Sequence, residues 1–405
     1  MTNIVHFTPM TKYLIYLNLF FLQSYLIRFE IGAYPSNLQE ILMGVLGVGF
    51  LVEIIRNKRF KKTIKNISKH WVILAFIALT GLSFLLTTPK DSLDYLRHLK
   101  FLFFAVIFTF IFLETLKGDT ERKKALKWGA WGAITFGLFS IIWNLLGHNV
   151  ALDLRLLGPL DSAVYLAYYL TPFFLFTTIS YLENLKDREN LIASTLLGIL
   201  IILTQSMGAI GGSFLVILLY ILIKHRKKLL KKTVVKIALP ILAAIVVGTI
   251  FYTKILPTLE TSYSSLDERG EIWATALNLT KEPETAIYGL GLGQFQAHYF
   301  STVSTVLGQE PLDYYVLQPH NIFFLFIFHF GILGLIFLLF CMGKTIKKLP
   351  KISAFILLYF FIHGLIDTPI FKNDLLILFV LFLELALIAA PKQDPSKQNK
   401  DHLPL

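Results

Sequence analysis

What most constrains this chain is a succession of apolar runs, many close to twenty residues long, parted by short clusters of Lys and Arg. The hydrocarbon core of a bilayer is about 30 Å thick and takes roughly 20 helical residues to cross. Twelve stretches are candidates: 11–31, 36–55, 71–88, 98–115, 128–147, 162–182, 190–205, 207–223, 237–254, 321–342, 352–368 and 374–391. Inside lipid every backbone N–H and C=O must be bonded within the protein, and helices do this locally. The expected fold is an all-α polytopic membrane protein, with residues 1–391 as one transmembrane domain and 392–405 as a polar cytoplasmic tail.

Composition agrees. The chain is 55% hydrophobic and only 16% charged, where soluble domains sit near 45–50% and about 25%. An ordinary cytoplasmic enzyme is excluded. So is a disordered chain, given 36 Phe and 17 Tyr. The single Cys341 excludes a disulfide framework and a thiolate metal cluster. A net charge of +12 suggests nucleic acid in a soluble protein; here the bases lie between apolar runs as topology signals, and no nucleic-acid partner is expected. No cleavable leader is expected, because the run from Tyr13 to Ile27 lacks a basic start and a small-residue cleavage site.

Residues 191–223 form one apolar run, too long for a simple crossing and short for two. Thr204-Gln205-Ser206-Met207-Gly208 is the natural break. With that break, and Lys12 counted with the N-terminus, the segments on one side hold 29 of the 38 Lys and Arg. Without it, the cluster Lys224-His225-Arg226-Lys227-Lys228 falls on the side of the acidic region after 255. The positive-inside rule therefore favours twelve spans, both termini in the cytoplasm, and one long outer loop, 255–320, between spans nine and ten. Loops of that length are functional or disordered; its Trp, Tyr and Gly content predicts a folded one.

Within that loop, Ser265-Leu266-Asp267-Glu268 has the form of a capping box opening a helix to about Thr280. Arg269, Ile272, Trp273, Ala276 and Leu277 share a stripe of that helix by their spacing. Arg269 is then either a lipid-phosphate anchor or an anion ligand. The glycines of Gly289-Leu290-Gly291-Leu292-Gly293 allow sharp turns and close backbone approach. No βαβ unit surrounds them, so they are not a nucleotide site. His320, between Pro319 and Asn321, is expected at the start of the tenth span, where a neutral imidazole can take a proton from a hydroxyl. The other outward cations are Arg28, Arg97 with Lys100, Arg155 and Lys372, each an interface anchor or a ligand. His363 and Asp367 are spaced i, i+4 and are expected on one face of span eleven. Glu384 lies mid-span in the last helix, where it needs a partner and is read as structural. There is no His-Glu-x-x-His, no aspartate pair at ligand spacing and no Gly-x-Ser-x-Gly, so neither a metal nor a serine nucleophile is expected.

Taken in order, these residues resemble the O-antigen ligase and O-antigen polymerase superfamily of bacterial membrane glycosyltransferases. Arg155-Leu-Leu-Gly158 followed by Ser162-Ala-Val-Tyr-Leu-Ala167 resembles the family's Arg-x-x-Gly segment leading into a span. Arg269-x-x-x-Trp273, the Gly289/Gly291/Gly293 run with Phe295, His320-Asn321 and Phe328-x-x-Gly331-Ile332-x-Gly334 are similar to its large-loop signature. His363-Gly-Leu-Ile-Asp367 is similar to its late His/Asp segment. The likeness covers 150–370 and departs at Met207, where many members carry Arg; an inactive homologue therefore stays open.

The resemblance implies glycan transfer from a polyprenyl-diphosphate carrier to a hydroxyl of a glycolipid, glycan or protein acceptor. The reaction would run at the outer face of the bacterial cytoplasmic membrane, among membrane lipids, with inversion and with no cofactor or metal. In that reading His320 is the base and Asp367 orients or polarises it. Arg269, Arg155 and Arg97 bind the donor diphosphate, and Arg155, Arg97 or Lys100 compensates for Met207. Gly289, Gly291 and Gly293 shape the loop, while Asn321 and His363 support the site. Ligase and polymerase activities remain equally open. The competing reading is a transporter of lipid-linked oligosaccharide or polysaccharide, which would show internal repeats and polar, broken helices near the midplane; no repeat is seen, and the polar groups gather at one surface.

Overall fold

The computed structural model describes residues 9–32, 34–149, 154–229 and 265–388. The expected ninth span, the start of the outer loop and the C-terminal tail lie outside the described residues. Those described contain fifteen α-helices and one two-stranded sheet. In the first half these are α1 (Pro9–Phe20), α2 (Leu38–Arg56), α3 (Phe60–Ile67), α4 (Trp71–Leu86), α5 (Ser92–Thr115), α6 (Asp119–Leu145) and α7 (Ala163–Glu183). After them come α8 (Arg188–Leu203), α9 (Met207–Leu229), α10 (Ser265–Leu279), α11 (Pro283–Tyr288), α12 (Phe295–Leu307), α13 (Ile322–Ile346), α14 (Ile352–His363) and α15 (Asn373–Leu387).

Among the described residues, six helices are long and apolar enough to cross a membrane, or seven if α3 and α4, bent by 73°, form one crossing. The architecture is consistent with a polytopic, helical membrane protein. The chain breaks between Leu203 and Met207, with Gln205 at φ 51°. The polar residues there end one helix and begin the next.

Three expected segments have a different form. The first stops early: α1 ends at Phe20, a 3-10 turn covers Leu22–Leu26, and β1 (Arg28–Ile31) pairs antiparallel with β2 (Tyr34–Asn37). Charges at Arg28 and Glu30 alternate with apolar neighbours, which suits an extended strand better than a lipid-facing helix. Asn37 then starts α2 by a reciprocal cap: its side chain accepts from Glu40 N at 3.0 Å and donates to the Glu40 carboxylate at 2.7 Å. The eleventh apolar segment is helical only to His363.

The third is α13, which is not continuous. Gly331 sits at φ 64°, ψ −159°, a conformation open in practice to glycine alone. A break frees carbonyls that the helix would have bonded, and buried carbonyls need partners. Phe328 O accepts from Leu290 N at 2.7 Å and Gly291 N at 3.1 Å, while His329 O accepts from the Ser83 hydroxyl at 2.9 Å.

Two cores result. The larger runs through the bundle, with α15 buried along almost its whole length against α5, α14 and neighbours. A helix apolar all round belongs in such a place. Its one acid in mid-helix, Glu384, is fully buried and accepts the backbone N–H of Ile73 at 3.2 Å. That N–H lies in the first turn of α4 and has no partner within its own helix, so Glu384 caps a neighbouring helix and is structural, as expected.

The smaller core joins α10 and α12 through Ile272, Ala276, Leu279, Phe295, Tyr299 and Val303, closed by Phe328 of α13. On α10 the buried face includes Thr275, while Leu277 is exposed, against the expected stripe. At 3.6 residues per turn, 272, 275, 276 and 279 share a face and 277 turns away.

Candidate functional site

Asp367 lies past the end of α14, in a turn that two other segments hold by three consecutive carbonyls. Ile322 N donates to Gly364 O at 2.6 Å, Asn321 Nδ2 to Leu365 O at 3.1 Å, and Arg269 Nε to Ile366 O at 2.9 Å. Asn321 also caps α13, accepting from Phe323 N at 2.9 Å. The i, i+4 spacing of His363 and Asp367 survives as one backbone bond, Asp367 N to His363 O at 3.0 Å, but the carboxylate stands on a turn rather than a helix face.

This turn brings Asp367 Oδ1 to 2.9 Å from His320 Nδ1, and Thr368 N donates to the same oxygen at 2.8 Å. The Arg269 guanidinium lies 3.5 Å from Oδ2. One turn further along α10, Trp273 Nε1 donates to Pro319 O at 3.1 Å. Helix α10 thus grips both halves of the pair, the carboxylate turn through Arg269 and the approach to His320 through Trp273. His320 itself is held at φ 49°. Left-handed backbone is uncommon outside glycine, although His tolerates it better than most residues, and such strain concentrates at functional sites.

Electrostatics fixes the state of the pair. Burial pushes the Asp367 carboxyl up, but the His320 hydrogen bond and the charges of His320, His363 and Arg269 outweigh it and hold the group below its ordinary value. Asp367 is an ionised acceptor. A carboxylate can only accept, so His320 Nδ1 carries the hydrogen of this bond and Nε2 is left to face away from Asp367.

His320 and Asp367 line a cavity of about 110 Å³ with Tyr165, Glu268, Asp313, Tyr315 and Gln318. A second cavity of about 400 Å³ shares Tyr165, Leu317 and Gln318 with it. Arg97 lines this second space, paired with Asp94 at 2.9 Å, and so does Lys100, paired with Glu40 at 2.6 Å.

Other expected site residues stand elsewhere. Arg155 lines neither cavity; its neighbour Leu156 N bonds to Leu203 O at 3.0 Å, at the end of α8. His363 is buried, with Nδ1 2.6 Å from the Tyr359 hydroxyl and its ring against Tyr168. A Cβ on Gly208 would meet its Nε2 at 2.5 Å. It packs helices rather than facing either cavity. The glycine run is a joint: Gly289, at φ 84°, is so near α13 that a Cβ there would meet Phe328 O at 2.7 Å. Gly291 faces Thr87 and Tyr95, and Gly293 faces His98 and Asp94. None of the three lines the His320 cavity.

Tyr165, Asp313, Tyr315 and Gln318 line this cavity without having been named as candidates, since only the closing of distant segments makes them neighbours. Among the described residues, no group of three or more His, Cys, Asp or Glu is arranged to hold a metal ion.

Residues 192–339 match the family model described as O-antigen ligase. The match supports the O-antigen ligase and polymerase superfamily. No curated protein matches the chain. The matched stretch contains Arg269, the glycine run and His320, and ends before Asp367. That stretch is similar to the family, and the long apolar helices of the described residues agree with a multi-pass membrane protein.

Proposed function

We propose that the protein transfers a glycan from a polyprenyl-diphosphate carrier to an acceptor hydroxyl, at the outer face of a bacterial cytoplasmic membrane and with both termini inside. The acceptor oxygen loses its proton to His320 Nε2 and bonds to the anomeric carbon. The bond from that carbon to the diphosphate oxygen breaks, and the pair of electrons leaves with the carrier diphosphate. A direct attack of this kind inverts the anomeric centre and uses no protein nucleophile. Asp367 holds the imidazole in the tautomer that accepts a proton and stabilises the imidazolium that forms. Arg269 supplies positive charge beside the developing anion, and Arg97 and Lys100 line the adjoining cavity.

The observation that carries this reading is the 2.9 Å contact of His320 with an ionised Asp367 beside Arg269, on a chain matching the ligase family. In vesicles supplied with polyprenyl-diphosphate-linked glycan and acceptor, His320→Ala is expected to insert normally and to lose transfer. Unchanged turnover would remove the imidazole from the mechanism.

A further inference from the structure

The 400 Å³ cavity differs in character from the His320 site. It lies between the β1–β2 hairpin, the start of α5, and the chain just before α7 and α15. Its size falls in the range of small-molecule pockets. Two tyrosines, Tyr25 and Tyr165, wall it, and the Lys372 ammonium stands 3.8 Å from the Tyr165 ring centroid and 5.9 Å from that of Tyr25.

Charge in this hollow alternates. Four cations, Arg28, Arg97, Lys100 and Lys372, meet three carboxylates, Glu40, Asp94 and Asp161. Lys372 is largely buried, and its contact with the exposed Asp161 is a loose 3.8 Å. Two buried polar atoms of lining residues, the Tyr25 hydroxyl and Gln318 Oε1, have no hydrogen-bond partner among the described residues. Buried polar atoms without a partner are costly and call for a ligand or water.

A bare diphosphate suits this lining poorly, because three carboxylates would face it. Asp374 also acts on Lys372 from behind the wall, but Arg28 is in no ion pair among the described residues, and a purely neutral sugar leaves it unanswered. A sugar ring with one acid group satisfies both: its hydroxyls donate to the carboxylates and accept from Lys and Arg, its flat face lies on tyrosine, and its anion answers the excess charge.

We propose that this cavity is a saccharide subsite for an acidic sugar, a uronic acid or a sugar phosphate, with the anionic group between Lys372 and Arg28. Because Tyr165, Leu317 and Gln318 also wall the His320 cavity, such a sugar sits beside the reacting centre. Only the statement that this sugar is part of the enzyme's substrate rests on the transferase reading.

Calorimetry on the full chain in nanodiscs tests it, with a glucuronic-acid disaccharide, glucose 6-phosphate, cellobiose and inorganic pyrophosphate as probes. At least one acidic sugar is expected to bind about tenfold more tightly than cellobiose, and which of the two binds identifies the acid group. Lys372→Gln and Arg28→Gln should weaken that binding, Lys372→Arg should restore it, and His320→Ala should leave it unchanged while transfer is lost. Arg28 is exposed, so its variant separates lost binding from lost folding. Equal affinity for cellobiose, tighter binding of pyrophosphate than of either acidic sugar, no binding at all, or indifference to both substitutions overturns the proposal. Because the assay reads binding alone, its failure is distinct from failure of the transferase reading.

Discussion

Gly331 in α13 lies against the carbonyl of Ile287 at the end of α11, so closely that a β-carbon on it would overlap the Ile287 oxygen. Contact and backbone both demand glycine: the same residue holds the conformation that breaks α13 and turns Phe328 O toward Leu290 and Gly291. Gly331→Ala is therefore expected to cost at least about 2 kcal/mol and to loosen the 265–320 region. Limited proteolysis should show new cleavage between α10 and α13 together with reduced transfer. Unaltered protection would mean that the joint is not what holds this region down.

Asp367→Asn keeps the shape of the side chain but can present an amide N–H to His320 Nδ1, which favours the wrong tautomer. The corresponding change in a serine-protease triad lowers kcat about 10⁴-fold. Here a fall of at least about 10²-fold in kcat is expected, with acceptor KM changed little. The double variant with His320→Ala should be no worse than His320→Ala alone, as befits residues acting as one unit. Additive losses would separate their roles.

Arg269→Lys retains a charge but not the geometry that reaches Ile366 O through Nε and Asp367 Oδ2 through another nitrogen. A lysine is a point charge with no such fork. Transfer should drop at least about tenfold while membrane insertion is unaffected. Full activity would make Arg269 a mere lipid anchor.

His298, on α12, gives a pH test of the cap region. Burial, and then the nearby Lys90 charge, depresses its imidazole to about 4. The unfolded chain would protonate near 6.5, so between those values the unfolded state binds more protons. Stability from this group is complete above pH 6.5, falls as the pH is lowered toward 4, and changes no further below that. Thermal melts from pH 7.5 to 4.5 should show this decline flattened in His298→Gln. A variant as acid-sensitive as the parent would place the decline elsewhere.

Much of the bundle was legible in the sequence because its signals are local. Hydropathy located the long helices, the polar stretch at 204–208 marked a break, and the helix expected to run to about Thr280 is described to Leu279. What local pattern could not carry was the shape of short irregular pieces. Arg28 and Glu30 read as the end of a span although they alternate along a strand, and His363 and Asp367 read as one helix face although the helix stops between them. In the site, His320, Asp367 and Arg269 were named in advance and stand together, while Arg155, His363 and the three glycines do not join them. The glycines serve backbone approach, as their residue type allows, but to a kinked helix. Tyr165 and Gln318 lie in or beside stretches that were singled out, but only the closing of distant segments shows that they wall the cavity.

The carboxylate turn, gripped at three successive carbonyls, also sets an order of assembly. During synthesis the ribosome delivers Arg269 and then His320 well before the segment that carries Asp367. Until that late segment arrives, the imidazole has no anion to orient it and the guanidinium has no carbonyl at Ile366 to hold. On the proposed mechanism, a chain cut short after α13 lacks this pair and is expected to be inert.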